Sequence, residues 1–98
     1  MDNWLRCKAS QGQFSDEFAV SAQQFNGKEF SLFVPSEHVE VSSDPPPGQS
    51  VDGLLRVAIL EGKGDLLLIR LPEQSFESGQ VVTVNKSNIL KRAVREKA

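Results

Sequence analysis

The densest apolar sequence in the chain lies on both sides of a glycine-rich turn. Two seven-residue runs, Leu54–Leu60 and Asp65–Leu71, flank the segment 62–64, which reads Gly-Lys-Gly. Apolar runs of this length around a short glycine-containing segment are typical of a β-hairpin. A three-residue loop, with Gly64 in the left-handed position, brings the apolar residues of both strands onto one face. The predicted partners are Leu55 with Leu71, Val57 with Ile69, and Ile59 with Leu67.

On the outer face of this hairpin, the predicted register places Arg56 directly opposite Arg70. Like charges in that position are unfavourable, so another group should compensate them. A carboxylate from a neighbouring strand or plain solvation is one explanation, and an anion site for a phosphate or a partner's acidic side chain is the other. The same face carries Leu60, Leu66 and Leu68 and is too apolar for free solvent. We expect the C-terminal segment, another strand or a second copy of the chain to cover it.

A second hairpin is predicted over residues 17–34, around a turn at 25–27 that reads Phe-Asn-Gly. A two-residue turn would split the apolar residues between the two faces, whereas a three-residue loop puts them together. The predicted partners are Phe18 with Val34, Val20 with Leu32, and Ala22 with Phe30. Gly27 then takes the left-handed position of the turn, and Phe33 is left on the far face.

Two further strands are predicted near the ends of the chain. Residues 3–9 alternate between an apolar side and an outer side that carries aromatic and basic residues. The apolar side holds Leu5, Cys7 and Ala9, and the outer side holds Trp4, Arg6 and Lys8. Residues 80–84 form the last predicted strand. Between the hairpins, residues 42–53 contain three consecutive prolines, and we expect an exposed internal loop because proline cannot donate a hydrogen bond to a sheet.

These short strands and tight turns, with no convincing central helix, predict a single all-β domain over residues 1–98. A closed sheet of about six strands hides its edges, which favours a small antiparallel β-barrel of Src-homology-3-like or OB type. An open two-layer β-sandwich is the alternative. The only internal repetition that we identify in the sequence is the similarity of the two hairpins.

Charge is distributed unevenly along the chain, whose net charge is −2. Residues 1–84 carry six Lys/Arg against twelve Asp/Glu, whereas residues 85–98 carry five against one. Ser87 or Asn88 is placed to cap a short helix in the basic segment 86–98, and a disordered basic tail is the alternative. The cations singled out in this segment are Lys91, Arg92, Arg95 and Lys97. They would contact RNA, an acidic partner or an anionic lipid surface, or would simply keep the terminus soluble.

Catalytic and metal-binding patterns are not found in the sequence. The single cysteine and the single histidine, Cys7 and His38, are 31 residues apart and supply no ligand cluster. The glycine-rich segment 61–65 lacks the Lys-Ser/Thr pair of a phosphate-binding loop. We therefore expect no enzyme activity, no cofactor and no metal. A lone cysteine, with no signal-peptide pattern and no apolar run of about 18 residues, predicts a cytoplasmic protein without membrane association.

Three functions stay open as hypotheses. The first is a non-catalytic barrel that serves as a protein-interaction or adaptor module. The second is a barrel that binds RNA or single-stranded DNA through outward basic residues and the tail, although the acidic body of the domain opposes it. The third is a homo-oligomer subunit. The candidate anion or nucleic-acid contacts are Arg6, Lys8, Arg56, Arg70, Lys91, Arg92 and Arg95, and the candidate interaction patch is Trp4, Phe33, Leu66 and Leu68.

Overall fold

The computed structural model describes residues 2–92, which form one antiparallel sheet. The strands across these residues are β1 (Asp2–Gln11), β2 (Glu17–Gln23), β3 (Glu29–Pro35), β4 (Val39–Val41), β5 (Val51–Lys63), β6 (Leu66–Ser75), β7 (Gly79–Asn85) and β8 (Ile89–Arg92). Short 3₁₀ turns, Ser36–His38 and Lys86–Asn88, precede β4 and β8. The main strand order is β3-β2-β1-β5-β6-β7, while β4 pairs with β5 and β8 pairs with β1. The sheet curls into a half-barrel, which confirms the predicted small β-barrel class, with eight strands in place of about six.

The hydrophobic core is built from the alternating apolar residues of the strands. The largest fully buried side chains include Phe30, Leu5, Leu32, Leu55 and Ile69. Because successive side chains of a strand point to opposite faces, the residues between these core positions lie on the outer faces of the sheet. Trp4, Arg6, Arg56 and Arg70 belong to this second set.

The register predicted for the β2–β3 hairpin is confirmed. Phe18 pairs with Val34, Val20 with Leu32, and Ala22 with Phe30. Gly27 adopts a φ of 83°, and its N–H donates a hydrogen bond to the carbonyl oxygen of Gln24 at 2.9 Å. A glycine takes this left-handed conformation without strain, and the burial of one face sets the pairing of the strands.

The register predicted for the β5–β6 hairpin is wrong. Ile59 pairs with Ile69 and not with Leu67. The turn consists of only two residues, Gly64, which adopts a φ of 60°, and the residue after it. A two-residue turn would shift the apolar residues of one strand to the wrong face, but a β-bulge between Ile59 and Glu61 skips one residue and restores the alternation. The same residues therefore face the core as predicted, with different partners.

This change of register separates Arg56 from Arg70. Arg70 pairs with Ala58 of β5, whereas Arg56 pairs with Trp4 of β1 on the other side of β5. The two arginines therefore do not share a register position. The predicted direct opposition of the two cations does not occur.

The proline-rich loop is shorter than the predicted 42–53, because β5 begins at Val51. Val51 pairs with Ala9 of β1, and this pairing extends the strand toward the prolines. Within the loop, Pro45 is buried, and its carbonyl oxygen accepts a hydrogen bond from Nε2 of Gln11 at 3.1 Å. The loop is therefore fastened to β1 instead of being fully exposed.

The start of the C-terminal segment 86–98 is neither the predicted helix nor a disordered tail. After one 3₁₀ turn, β8 pairs with the first residues of β1, and Ile89 lies opposite Leu5. The β2 strand covers only the second half of β1, so the first half has an open edge. Strand pairing at that edge outweighs an isolated helix of about ten residues, which is marginal in water. The remainder of the predicted helix or tail, 93–98, lies outside the described residues.

The fold contains an internal repeat that the sequence analysis does not identify. Val39 of β4 pairs with Leu55 of β5, and Ile89 of β8 pairs with Leu5 of β1. Val39 and Ile89 are 50 residues apart, and so are Leu5 and Leu55, so the two pairs are equivalent. The two 3₁₀ turns obey the same offset. The N–H of Ser36 donates a hydrogen bond to the carbonyl oxygen of Asp16, the residue before β2. The N–H of Lys86 donates a similar bond to the carbonyl oxygen of Asp65, the residue before β6.

We call residues 2–41 repeat 1 and residues 51–92 repeat 2. The last strand of each repeat pairs with the first strand of the other repeat: β4 pairs with β5, and β8 pairs with β1. The repeats are related by a pseudo-two-fold axis at the β1–β5 pair, where Leu5 lies opposite Leu55. Few residues are identical at related positions, which hides the repeat in the sequence. Shared residues include Asp2 and Asp52, Leu5 and Leu55, and Arg6 and Arg56.

Candidate functional site

Trp4, the single tryptophan of the chain, lies on the outer face of the β1–β5 pair. Strand alternation directs its side chain to the face opposite that of Leu5, as predicted, but the side chain is only 5 % exposed. Its cross-strand neighbours are Arg56 on β5 and Leu90 on β8. The predicted exposure of Trp4 as part of an interaction patch is therefore wrong.

Two arginines cover the indole ring of Trp4. The guanidinium carbon of Arg56 lies 5.1 Å from a ring centroid, and that of Arg92 lies 5.6 Å away. Arg56 also forms an ion pair with Asp2 at 3.6 Å, and Arg92 forms one with Glu40 at 2.9 Å. The second ion pair joins β8 to β4. Cation–π contacts and carboxylates thus engage both predicted anion contacts within the chain.

A groove of about 470 Å³ lies on the same face, and we call it the Leu54 groove. Its lining residues include Leu54, Leu90, Arg6, Glu40 and Ser42. Leu54 and Leu90 are half-buried, whereas Arg6 is exposed and forms no ion pair among the described residues. The groove therefore combines apolar side chains with a charged rim.

Lys8 and Asp52 form an ion pair beside the Leu54 groove. The Lys8 ammonium donates a hydrogen bond to the Asp52 carboxylate, and this bond lowers the pKa of Asp52 below its ordinary value. At the related position in repeat 1, Asp2 instead pairs with Arg56. Because Asp52 is engaged by Lys8, it does not form an ion pair with Arg6.

A second groove, of about 370 Å³, lies where β5 passes from β4 to β6, and we call it the Arg70 groove. Its lining residues include Arg56, Arg70, His38, Gln80 and Asp2. Arg70 is exposed and forms no ion pair within the described part of the chain. Nδ1 of His38 is buried without a hydrogen-bond partner. The Asp2 carboxylate opposes an anion in this groove, and the two arginines favour one.

The outer face of β5, β6 and β7 presents apolar side chains, as the leucines of the sequence predict. Leu60 is 42 % exposed and Val81 is 41 % exposed, while Leu66 and Leu68 are half-buried. We call these four residues the leucine face. The β8 strand pairs with β1 and does not provide the predicted cover. The leucine face is therefore open in the part of the chain that the structure describes.

Phe33 lies apart from the leucine face, on β3. Its ring contacts that of Phe76 edge to face, with centroids 5.5 Å apart and an interplanar angle of 83°. Next to this pair, Glu77 accepts hydrogen bonds from the N–H and the Oγ of Ser31, at 2.7 and 2.8 Å, and these bonds lower the pKa of Glu77. The four residues of the predicted patch therefore do not form one surface.

The remaining candidates carry little chemistry. Lys91 is exposed on β8, and Arg95 lies outside the described residues. Cys7 is buried, and burial raises the pKa of its thiol to about 12, which keeps it protonated near neutral pH.

Within residues 2–92, no three His, Cys, Asp or Glu side chains are grouped as metal ligands. No helix in that range is long and apolar enough to cross a membrane.

Four residues that shape this site, Asp2, Glu40, Leu54 and Leu90, are not identified by the sequence analysis. For Asp2 and Leu54 the signal is the pattern Asp-x-x-Leu-Arg, which occurs at 2–6 and again at 52–56, whereas Glu40 and Leu90 lie outside both segments. Alignment of these two segments places a tryptophan against a leucine on the outer face. Comparisons with protein-family models, with curated proteins and with solved structures find no match for this chain.

Proposed function

We propose that this protein is a non-catalytic protein-interaction module that binds its partner through the leucine face. The observation that carries the proposal is the open row of apolar side chains on β5, β6 and β7, where Leu60 and Val81 are more than two-fifths exposed. Contiguous apolar surface of this kind, bordered by polar residues, is typical of a protein-binding site. Most other predicted contacts, in contrast, are engaged within the chain.

Charged residues of both signs border the leucine face. Lys63 pairs with Leu66, Glu61 pairs with Leu68, and Arg70 pairs with Val81. Such a rim adds specificity and accelerates association more than it adds affinity. The partner that fits this surface has an apolar centre and a charged border of mixed sign.

We also propose that the module is a cytoplasmic protein. Its single cysteine suits a reducing compartment, in which disulfides do not persist. Burial of Cys7 also withholds the thiol from mixed-disulfide formation. A protein-binding role through an apolar face needs no redox chemistry.

Peptide-display selection against the full chain tests the leucine face. Peptides selected on the wild type are titrated against Leu68→Lys by calorimetry. We expect binding to weaken at least about tenfold, because an ammonium group in an apolar contact must be desolvated. Phe14→Ser is the control, since it removes a phenylalanine that is 68 % exposed in the β1–β2 loop. Equal binding to the wild type and Leu68→Lys would contradict the proposal.

A second copy of the chain is one partner to examine first. Sedimentation velocity over a wide range of concentration measures self-association directly. A mass that rises with concentration, and that returns to the monomer in Leu68→Lys, would identify the homo-oligomer. A constant monomer mass would remove the homo-oligomer and leave a different protein as the partner.

Nucleic-acid binding is the second candidate function, and the Arg70 groove is the observation that favours it. Arg56 and Arg70 line this groove together with His38, whose Nδ1 has no partner. Fluorescence anisotropy with RNA and single-stranded DNA at low and high salt tests it. Binding should fall steeply with salt and should weaken in Arg70→Gln. Absence of binding at low salt would contradict this function. The acidic body of the domain also opposes it, because net negative charge repels phosphate.

A further inference from the structure

The pseudo-two-fold axis gives each residue around Trp4 a counterpart in the other repeat. The offset of 50 residues relates Trp4 to Leu54 and Arg92 to Ser42. The backbone pairing is alike in the two repeats. The N–H of Ser42 donates to the carbonyl oxygen of Asp52 at 3.0 Å, and at the related positions Arg92 of β8 pairs with Asp2 of β1. A large ring and a long cation on one side therefore correspond to two smaller side chains on the other. The Leu54 groove is the space that these smaller side chains leave.

The groove retains one of the groups that contact the indole at the related position, an arginine, whereas Leu90, the cross-strand neighbour of Trp4, corresponds to Glu40. Arg56 lies over Trp4 at 5.1 Å, and its counterpart Arg6 lines the Leu54 groove without a carboxylate partner among the described residues. Leu54 and Leu90 supply half-buried apolar surface, and no aromatic side chain of the described residues lines the groove. An aromatic ring complements this combination, because its edges are apolar and its face attracts a cation.

We propose that the Leu54 groove binds an aromatic side chain of a protein partner, with Arg6 over the face of the ring. The fold already holds one aromatic ring in this manner, at Trp4, whose ring contacts two arginines. This inference rests on the proposed function, since it names the chemistry of the partner, but it concerns a surface other than the leucine face. Glu40 and Asp52 line the same groove, and their carboxylates disfavour a ligand that carries phosphate.

Titration of the isotope-labelled full chain with N-acetyl-tryptophanamide tests the groove. Amide chemical shifts should change in a saturable manner at Leu54, Leu90 and Ser42. The matched control is N-acetyl-leucinamide, which has an apolar side chain without a π face. It should bind at least about fivefold more weakly, because it lacks the stacking and cation–π contributions.

Variants of the groove separate binding from folding. Leu54→Trp introduces the residue found at the related position and should abolish binding of the amide while the melting temperature holds or rises. Ser42→Arg fills the groove from the other side and serves if the first variant does not fold. Arg6→Gln should weaken binding about two- to fivefold. Lys28→Gln removes an exposed cation from the β2–β3 turn, away from both grooves, and should leave the affinity unchanged.

Each result of these binding experiments either supports or overturns the inference. Shift changes at the leucine face instead of the groove would overturn this inference and leave the proposed function intact. Equal affinity for the two amides, or binding that persists in Leu54→Trp and Ser42→Arg, would overturn it as well. Tighter binding of adenosine monophosphate at the groove would overturn it in favour of a nucleotide ligand. Binding of the tryptophan amide at the groove, with selected peptides unaffected by Leu68→Lys, would support it and count only against the leucine face.

Discussion

The guanidinium carbon of Arg92 lies 5.6 Å from a ring centroid of Trp4. Arg92 belongs to β8 and Trp4 to β1, so this contact joins the two ends of the described chain. The same guanidinium forms an ion pair with Glu40 of β4 at 2.9 Å. One side chain therefore connects three strands that are distant in sequence.

Removal of this side chain should expose the indole. Arg92→Ala should lower the free energy of unfolding by about 1 kcal/mol, because it deletes one cation–π contact and one partly exposed ion pair. Trp4 is the single tryptophan, so the intrinsic fluorescence should shift to longer wavelength. Lys91→Ala alters the neighbouring exposed cation and should change neither quantity. An unchanged emission maximum in Arg92→Ala would show that this arginine does not shield the ring.

The assignment of the core to one face of β5 can be tested with adjacent substitutions. Val57 is only 6 % exposed, and Val57→Asp would bury a charge without a partner. We expect a loss of about 3–5 kcal/mol or more, comparable with the whole stability of a domain of this size. Ala58→Asp, at the next and exposed position, should remain folded. Cooperative denaturant unfolding of Val57→Asp near the wild-type midpoint would refute the assignment.

The contact between Glu77 and Ser31 predicts a pH dependence of stability. Hydrogen bonds from Ser31 lower the pKa of Glu77 below its ordinary value of 4.5, so folding favours the ionised form. Its contribution is therefore complete above that value and is lost as the pH falls through the lowered pKa. Glu77→Gln should destabilise the protein at neutral pH, and the difference should shrink on acidification. Glu73→Gln, at an exposed carboxylate of β6, is the control for a general charge effect.

Burial of Cys7 predicts slow alkylation of the native protein. Because the pKa of the thiol is raised from 9.0 to about 12, the reactive thiolate is scarce in the folded state near neutral pH. The contribution to stability is full below pH 9 and is lost as the pH rises toward 12. Iodoacetamide labelling followed by mass spectrometry should be fast only after unfolding. Ser43→Cys in a Cys7→Ala background presents an exposed thiol for comparison, and equal labelling rates would contradict the burial.

The residues that face the core follow from the sequence because one buried face of a strand requires one parity. Phe18, Val20 and Ala22 pair as predicted for this reason. Parity does not determine the partner, however. The bulge between Ile59 and Glu61 and a shorter turn satisfy the same parity with a different register, and the relation between the arginines of β5 and β6 changes with it.

The candidate site depends on contacts that a local pattern does not contain. Strand alternation places Trp4 on the outer face, but its burial is due to Arg56 and Arg92, which come from strands far along the chain. The pairing of β8 likewise depends on the open edge that β2 leaves on β1. A short basic segment has no local feature that reports such an edge, so its helical periodicity is misleading.

The exchange of final strands between the repeats bears on how the protein arose. A chain that contained only one repeat would lack a partner for part of its first strand, because that partner comes from the other repeat. Two copies would supply it to each other and would form a symmetric homodimer with identical grooves. Gene duplication and fusion, with the segment 42–50 as the join, would convert such a dimer into one polypeptide. Each half would then be free to mutate independently, which would allow one groove to be filled by Trp4 while the other carries Leu54.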